Sequence, residues 1–557
     1  MTRYSRAAVA ILAAVVCFVF LVVFLTLPPR PARLDPSGWG DFQRRTIAGA
    51  YHVHTTRSDG AGDKTAVAAA AARAGLQFVV LTDHGDGTRP SDPPAYIDGV
   101  LCLDAVEIST DDGHYVALGM AQAPYPLGGS GAAVAEDVAR LGGFGIAAHP
   151  DSPKPELRWS APTVAVDGLE WLNADSEWRR LPRTTLARAA VGYLFRPPAA
   201  LASLLHRPEE TFRRWDAMTR TRRVVGLAAL DAHGGVRRQD EGASIAGGIP
   251  SYEASFRTFS DRIVLEHPLS GDAAADARDV YAAIRAGRLF STIDAVAGPG
   301  LIDFHADTAA GRVPMGGVVP QGSAATLVAR ALAPDGADVV LMHDGREVRH
   351  APTGVRARVT SGEGAFRVEV RAPAAPGEPP VPWLVSNPIY FLAPHPSTSS
   401  TPPEAGGRAV PIETWHLEKD DSSSGILRTF QGTVELEYTL GKGEPRSQFV
   451  AAVAALSPGS PIGAIDFHAA SNQPMRVSVQ LRFDRTGGAP RWGSSVYVSR
   501  QGVAARVEAS ALRAMQRGRP PLPDARSATG LLFVIDLTNT PPGRHGILRL
   551  SNVSLGG

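Results

Sequence analysis

His52 and His54, in the run Tyr51-His-Val-His-Thr-Thr-Arg-Ser-Asp59-Gly60, are the residues of this chain best typed and spaced for chemistry. Side chains two apart on a regular strand share a face, so the two imidazoles can grip one metal ion. Asp59, in the loop that follows, can reach a neighbouring ion. Further ligand types stand where apolar runs end. Asp83 and His84 follow the run 77–82, Glu107 lies in 103–108, and His114 opens 114–118. His149 follows 144–148, and Asp231 and His233 follow 224–230. A single buried histidine is usually a hydrogen-bonded core residue. Nine such residues in one series (His52, His54, Asp59, His84, Glu107, His114, His149, Asp231 and His233) predict a metal centre.

With Cys17 and Cys102 as the only cysteines, no thiolate cluster is available, and His with carboxylates suits Mn, Fe or Zn. Two or three divalent ions held this way bring the pKa of a bound water towards neutrality. They also clamp the attacking and leaving oxygens of an in-line displacement. Hydrolysis then needs no Ser or Cys nucleophile, and none stands in a nucleophile-elbow motif. Asp83 and His84 are candidates for proton transfer, and Asp83 also for orienting a ligand. Arg57 and Lys154 lie in strand-end loops, where they read equally as phosphate-binding cations and as solvated charges.

Short apolar runs alternate with Ala-rich helical runs from Thr46 to about Ser291, among them a helix over 64–75 capped by Asp63 and stopped by Gly75. Such alternation predicts a parallel sheet, here closed into a barrel. The ligand series falls at the carboxyl ends of its strands, where such barrels keep their functional residues. After Gly298 the texture changes to β segments between Gly/Pro turns, which predicts two β-sandwich modules. The expected organisation is an anchor (1–28), a Pro-rich spacer (29–45), a barrel (46–300), a sandwich (301–392), a linker (393–408) and a second sandwich (409–557). A chain of 557 residues needs more than one core. Lys+Arg 56 against Asp+Glu 55 gives no basic stripe for nucleic acid.

Residues 7–27 form an uncharged apolar run of 21 residues behind Arg3 and Arg6, long enough to span a bilayer and without a cleavage motif behind it. A retained single-pass anchor is expected, with the body exported, although Arg30, Arg33, Arg44 and Arg45 on the far side argue the other way by charge. The stretch 189–205, interrupted by Arg196-Pro-Pro198, predicts a helical insertion rather than a second span.

The order H-x-H, S-D-G, T-D-H, strand-borne Glu, G-H, A-H-P and D-x-H resembles the polymerase and histidinol phosphatase (PHP) superfamily over about residues 46–300. The resemblance implies a distorted seven-stranded β/α barrel with two or three divalent ions. His52, His54, Glu107 and Asp231 would hold one. Glu107 would bridge to a second on His114 and His149, and Asp59, His84 and His233 would hold the third. Asp59 stands where some members use His. The 168–173 run, with Glu170 and Asn173 as supporting residues, and the Ser386-Asn-Pro-Ile-Tyr390 motif resemble the carbamate-hydrolase-like branch. The substrates implied are phosphoesters or carbamate and carboxylic esters, small or on a surface polymer. The last β region is similar to jelly-roll carbohydrate-binding modules. That similarity raises carbohydrate contact, and with it the rival reading of a non-catalytic glycan-binding protein.

Overall fold

β1 (Thr46–Val53) is buried along its whole length, as a strand covered on both faces must be. α1 (Lys64–Ala74) begins where the Asp63 carboxylate accepts the Ala66 N–H and stops at Gly75, whose φ of 80° only glycine adopts freely. It returns the chain to β2 (Phe78–Leu81), parallel to β1. After β3 (Ala95–Ile97), β4 (Val100–Asp104) lies parallel to β2. The remaining barrel strands are β5 (Val106–Thr110), β6 (Gly113–Leu118), β7 (Phe144–Ala147), β8 (Gly168–Asn173), β9 (Val225–Ala229), β10 (Ser260–Val264) and β11 (Leu289–Thr292). α2 (Gly131–Arg140) precedes β7. α3 (Ala174–Arg179), α4 (Arg183–Tyr193), α5 (Pro197–Ala202) and α6 (Glu209–Thr219) fill the interval between β8 and β9. α7 (Tyr252–Phe256) and α8 (Ala273–Arg285) flank β10. This computed structural model describes residues 27–235, 248–393, 407–459, 461–484, 490–515 and 520–556, with Ala13, Ala14, Cys17, Phe18, Leu21 and Phe24.

The sheet is mixed rather than wholly parallel. β5 and β6 are joined by the tight turn at Asp111 and Asp112, too short for a crossover helix, so β5–β6 and β6–β7 are antiparallel. β10 is likewise antiparallel to β1 and β11. The expected single strand over 103–108 breaks at Ala105, where the chain leaves one sheet (β4 on β2) for the other (β5 on β6). Two isolated bridges complete the ring, Val53 with Ala232 and His84 with Glu107. Both join positions within or next to the ligand series. Tyr51, Val80, Leu103, Val116, Ile146, Leu227, Ile263 and Leu289 share one buried cluster with Val280 and Ile284 of α8.

The Ser386-Asn-Pro-Ile-Tyr390 motif closes the wall between β9 and β11. Asn387 acts there as a substitute strand: its Oδ1 accepts the Gly226 N–H (2.8 Å) and its Nδ2 donates to the Gly226 and Leu289 carbonyls (2.9 and 3.0 Å). Pro388 cannot extend the ladder, and strand structure on either side of it is split into Leu384–Ser386 and Ile389–Leu392. Leu384–Ser386 pairs with β11, so the barrel sheet runs on into the 301–392 region. A four-stranded antiparallel sheet, including Leu301–Thr308 and Ala325–Leu332, completes that region.

The Pro-rich segment is held rather than free. Ala32–Arg33 pairs with Ala297–Gly298, and Trp39 is buried with the Arg330 guanidinium 4.7 Å from its ring. The reason is local: Trp39 offers a large apolar ring that buries well, and the backbone N–H groups between the prolines remain free to pair. The anchor expected over residues 7–27 lies largely outside the described residues, as do 394–406 of the linker. Among the described residues no helix is long and apolar enough to cross a membrane.

Asp86–Pro90, Gln122–Asp137 and Pro396–Gly557 cluster as a separate unit. Its two six-stranded antiparallel sheets sandwich one core, to which one sheet gives Leu436, Tyr438, Phe467 and Leu548 and the other Val450, Val479, Leu531 and Phe533. Thr433–Thr439 alternates buried and half-buried residues, the mark of one solvated face. Met475–Arg482 and Gly530–Asp536 are buried on both faces, and Gln122–Asp137 meets the outer side at Arg476. There the buried Arg476 guanidinium grips the Asp137 carboxylate at 2.7 and 3.0 Å and the Ala133 carbonyl at 2.9 Å.

Candidate metal centre

His52 and His54 converge through a distorted strand end, not through regular pleating as the spacing suggested. The pairing of β1 with β2 slips between Ala50 and Val53, and His52 sits at φ 63°. His149 (27°) and Asp231 (47°) are also left-handed. Backbone strain of this kind costs about 1–3 kcal/mol per residue and persists only where the surroundings impose it. Among the described residues, three of the eight with positive φ other than glycine therefore belong to the ligand series.

These distortions aim four donor atoms at one point. His52 Nε2 lies 3.2 Å from His54 Nε2, 3.3 Å from Glu107 Oε2 and 3.5 Å from Asp231 Oδ1. His54 Nε2 lies 3.3 Å from Glu107 Oε2 and 3.4 Å from Asp231 Oδ1. A cation with bonds of about 2.0–2.2 Å to a tetrahedron of N and O ligands holds those ligands about 3.4 Å apart. The two imidazoles with either carboxylate match that spacing for a small divalent ion.

Glu107 presents its other oxygen, Oε1, to His114 Nδ1 (2.7 Å) and His149 Nε2 (2.9 Å), while His84 Nδ1 is 3.2 Å from Oε2. That is the arrangement of a bridging carboxylate. Asp59 Oδ2 faces His233 Nε2 (3.3 Å) and His84 Nε2 (3.7 Å), and Asp59 Oδ1, 3.3 Å from His54 Nδ1, is buried without a hydrogen-bond donor. All nine residues of the series thus meet in one cluster. His149 also groups with His52 and Asp231, and His54 with Asp59 and His233. Neighbouring positions therefore share ligands more than the sequence order implied.

A second layer fixes which nitrogen faces inward. His52 Nδ1 donates to Glu170 Oε1 (2.5 Å), His149 Nδ1 to the Leu157 carbonyl (3.0 Å) and His233 Nδ1 to the Asp231 carbonyl (2.9 Å). Each leaves Nε2 as the inward nitrogen. Glu170 Oε2 also accepts the His149 backbone N–H (2.7 Å) and Asn173 Nδ2 (2.9 Å). Asn173 Nδ2 lies 3.3 Å from Asp231 Oδ2 as well, and Asn173 Oδ1 caps α3 through the Ser176 N–H. Glu170 and Asn173, supporting residues by sequence, are the hub that ties three inward-facing residues together.

Without a cation, protons take its place. Burial opposes charge on His52 and His54, but the Glu170, Asp231 and Glu107 carboxylates outweigh it. His52 is held well above its ordinary pKa, and Asp231 and Glu107 raise His54 to about 10. Burial likewise opposes ionisation of Glu107 and Asp231, and the facing imidazoles overcome it, keeping both well below the usual carboxylate range.

Asp83 corrects an expectation. Its oxygens accept the Thr55 N–H, the Thr55 hydroxyl and the Ser58 hydroxyl, all at 2.7 Å. A carboxylate engaged three times positions the loop between His54 and Asp59 and is not free to carry protons. His84, a third exposed at the edge of the cluster, keeps the proton-transfer candidacy. Arg57 is taken by Asp92 and Asp104, which leaves it no open fork for an anion.

No known protein family matches the chain, and no curated protein matches it. Among solved structures, a two-domain protein containing a predicted PHP-like metal-dependent phosphoesterase from Bacteroides vulgatus is similar at 12% identity. The match covers 65% of this chain and 99% of that one, with a TM-score of 0.28. A family 11 carbohydrate-binding module of a Clostridium thermocellum cellulase is similar at 15% identity, over 27% of this chain and 95% of that one, with a TM-score of 0.23. At such scores neither likeness establishes the fold or the activity of this chain.

Proposed function

We propose that this chain is a membrane-anchored, metal-dependent hydrolase of the PHP type that cleaves phosphoester bonds. The observation that carries this reading is the approach of His52 Nε2 and His54 Nε2 to each other (3.2 Å) and of both to Glu107 Oε2 and to Asp231 Oδ1 (3.3–3.5 Å). These residues would hold one divalent ion. Glu107, His114 and His149 would hold a second, and Asp59, His84 and His233 a third. Mn, Zn or Fe suits the donor set. When bound, such ions acidify a water into a nucleophile and draw charge from the leaving oxygen. The chain supplies the rest. Glu170 and Asn173 keep the imidazoles turned inward, Asp83 holds the loop that carries Asp59, and, where the third position holds no ion, His84 would be the group to pass a proton to the departing oxygen.

Glu107, with one oxygen towards each neighbouring group of ligands, would let two ions act on one substrate, the chemistry that suits an in-line displacement at phosphorus. Full-length protein loaded with Mn²⁺ should release phosphate from simple phosphoesters and stop doing so after His54→Ala. Turnover of carbamates or carboxylic esters alone would shift the reaction class while keeping the centre. A folded protein with no bound divalent ion in metal analysis would sink the reading altogether.

Carbohydrate contact by the C-terminal unit would use the sheet that contains Ser424–Phe430. That strand exposes Ile426 and Phe430, whereas Met475–Arg482 and Gly530–Asp536 of the other sheet are buried on both faces. Binding of a surface glycan there would present an ester-bearing polymer to the same protein. A glycan array probed with the Phe430→Ala protein beside the unaltered one tests this.

A further inference from the structure

Four large apolar side chains stand exposed near the α4–α5 elbow: Val191 (44%), Leu194 (73%), Phe195 (50%) and Ile249 (54%). Ile249 joins the set because the Tyr193 hydroxyl accepts the Ser251 N–H at 2.9 Å. Isolated exposed apolar residues need no explanation, but a clustered set marks a contact surface. The elbow is also basic. Of the six arginines in residues 178–208, Arg179, Arg180 and Arg207 are paired with Asp175, Asp151 and Glu369 and Arg196 with the Pro28 carbonyl, so Arg183 and Arg188 of α4 supply the elbow's positive charge.

The chain enters the body at this same place. Pro28 lies against α4: the Arg196 guanidinium donates to the Pro28 carbonyl, and a Cβ on Gly192 would sit 3.8 Å from Pro28 Cδ. Leu27, Pro28 and Pro29 share with Arg188, Val191 and Gly192 the lining of a cavity of about 520 Å³. Ala32 is already paired to Ala297, so no slack separates the apolar run 7–27 from the body. If that run spans a bilayer, the surface around Pro28 must lie on that bilayer.

From this geometry we infer that the α4–α5 elbow is a second membrane contact, with Val191, Leu194, Phe195 and Ile249 dipping into the lipid interface beside the anchor. Apolar side chains flanked by arginines suit the headgroup boundary of an anionic leaflet. The contact orients the body, because a single span leaves rotation free and a second point of attachment removes it. It rests on the reading of residues 7–27 as a span and is independent of the metal chemistry.

The test uses the full-length chain with Cys17→Ser and Leu194→Cys, labelled with an environment-sensitive fluorophore and reconstituted into phosphatidylcholine–phosphatidylglycerol vesicles. Cys102 is buried and stays unlabelled. The expected result is blue-shifted emission, quenched by nitroxide lipids, at 194 but not at a Val348→Cys control, which is also exposed. An anchored protein whose 194 label stays as wet as the control overturns the contact alone. A protein stripped from vesicles by alkaline carbonate overturns the span and the contact together. The label should stay protected in nanodiscs holding one chain each; protection lost there means that a second copy covers the elbow, and the inference is wrong.

Discussion

Two buried charge clusters sit in the barrel unit, and they are built on opposite logic. Around α6, Arg207 and Arg367 meet Glu369 and Asp216: Arg207 spans both Glu369 oxygens at 2.6 and 3.1 Å, and Arg367 donates to Glu369 at 2.9 Å and to Asp216. Cations and anions there complete one another. In the ligand cluster, three carboxylates and six imidazoles turn towards common points with no Lys or Arg among them. A self-neutralised cluster is structure. A set of converging acceptors is completed only by protons or by a metal ion, and that difference separates a site from a staple.

The sharpest way to break the comparison is to remove the bridge. Glu107→Gln deletes the one charge that faces His52, His54, His84, His114 and His149, and should abolish tight metal binding. Turnover should fall well beyond the factor of about 100 that a supporting residue commands. Metal content and rate must drop together. A metal-free but active variant would show that the cluster is not the catalytic centre.

The staple should fail differently. Arg367→Met leaves Asp216 buried without its partner, which should destabilise the fold by about 3–5 kcal/mol in urea unfolding while metal content per folded molecule holds. Arg367→Met with Asp216→Leu should regain much of that loss, because an apolar pair of similar volume often replaces a buried ion pair at little cost. A double variant as weak as the single one would mean that the cation's contact with the Trp215 ring, 5.4 Å away, matters more than its charge.

Protonation separates the clusters a third way. His54 is raised from its ordinary 6.5 to about 10 by Asp231 and Glu107, against the opposing effect of burial. Between those values the folded, metal-free protein keeps a proton that the unfolded chain has released. Its contribution to stability is complete below about pH 6.5 and is lost as pH rises through about 10. The urea midpoint of the metal-free protein should therefore fall across that window. With metal bound, the proton has been displaced and this fall should vanish, leaving proton release on loading as an independent readout.

The two clusters also differ in how far sequence reveals them. Ligand residues stand at the ends of apolar runs, so chain order alone collects all nine. Asp216, Arg367 and Glu369 follow no local pattern, since α6 and Gly364–Arg371 meet only in three dimensions. For the same reason the break at Ala105 and the Asn387 closure were not legible. Each depends on pairing between distant segments, which strand-like composition does not encode. The twist at His52 was hidden too, because an H-x-H spacing fits a regular strand as well as a bulged one. Asp83 misled because a carboxylate beside a ligand looks the same in sequence whether it moves protons or holds a loop.

The smallest effect expected belongs to Glu170, and it measures how much of the centre is support. Its two oxygens reach the His52 Nδ1–H, the His149 backbone N–H and the Asn173 amide, so it touches no inward-facing donor atom. Glu170→Gln keeps the shape but puts an amide where the buried carboxylate was. His52 then loses a charged acceptor, and its inward nitrogen becomes a weaker donor to a cation. Metal affinity should fall about 10–100-fold, the range for a residue that orients a ligand without being one. Saturating metal should then restore most of the rate, which separates this variant from Glu107→Gln, where added metal should not. A Glu170→Gln protein as inert at saturating metal as Glu107→Gln would place Glu170 among the ligands themselves and redraw the boundary between the centre and its scaffold.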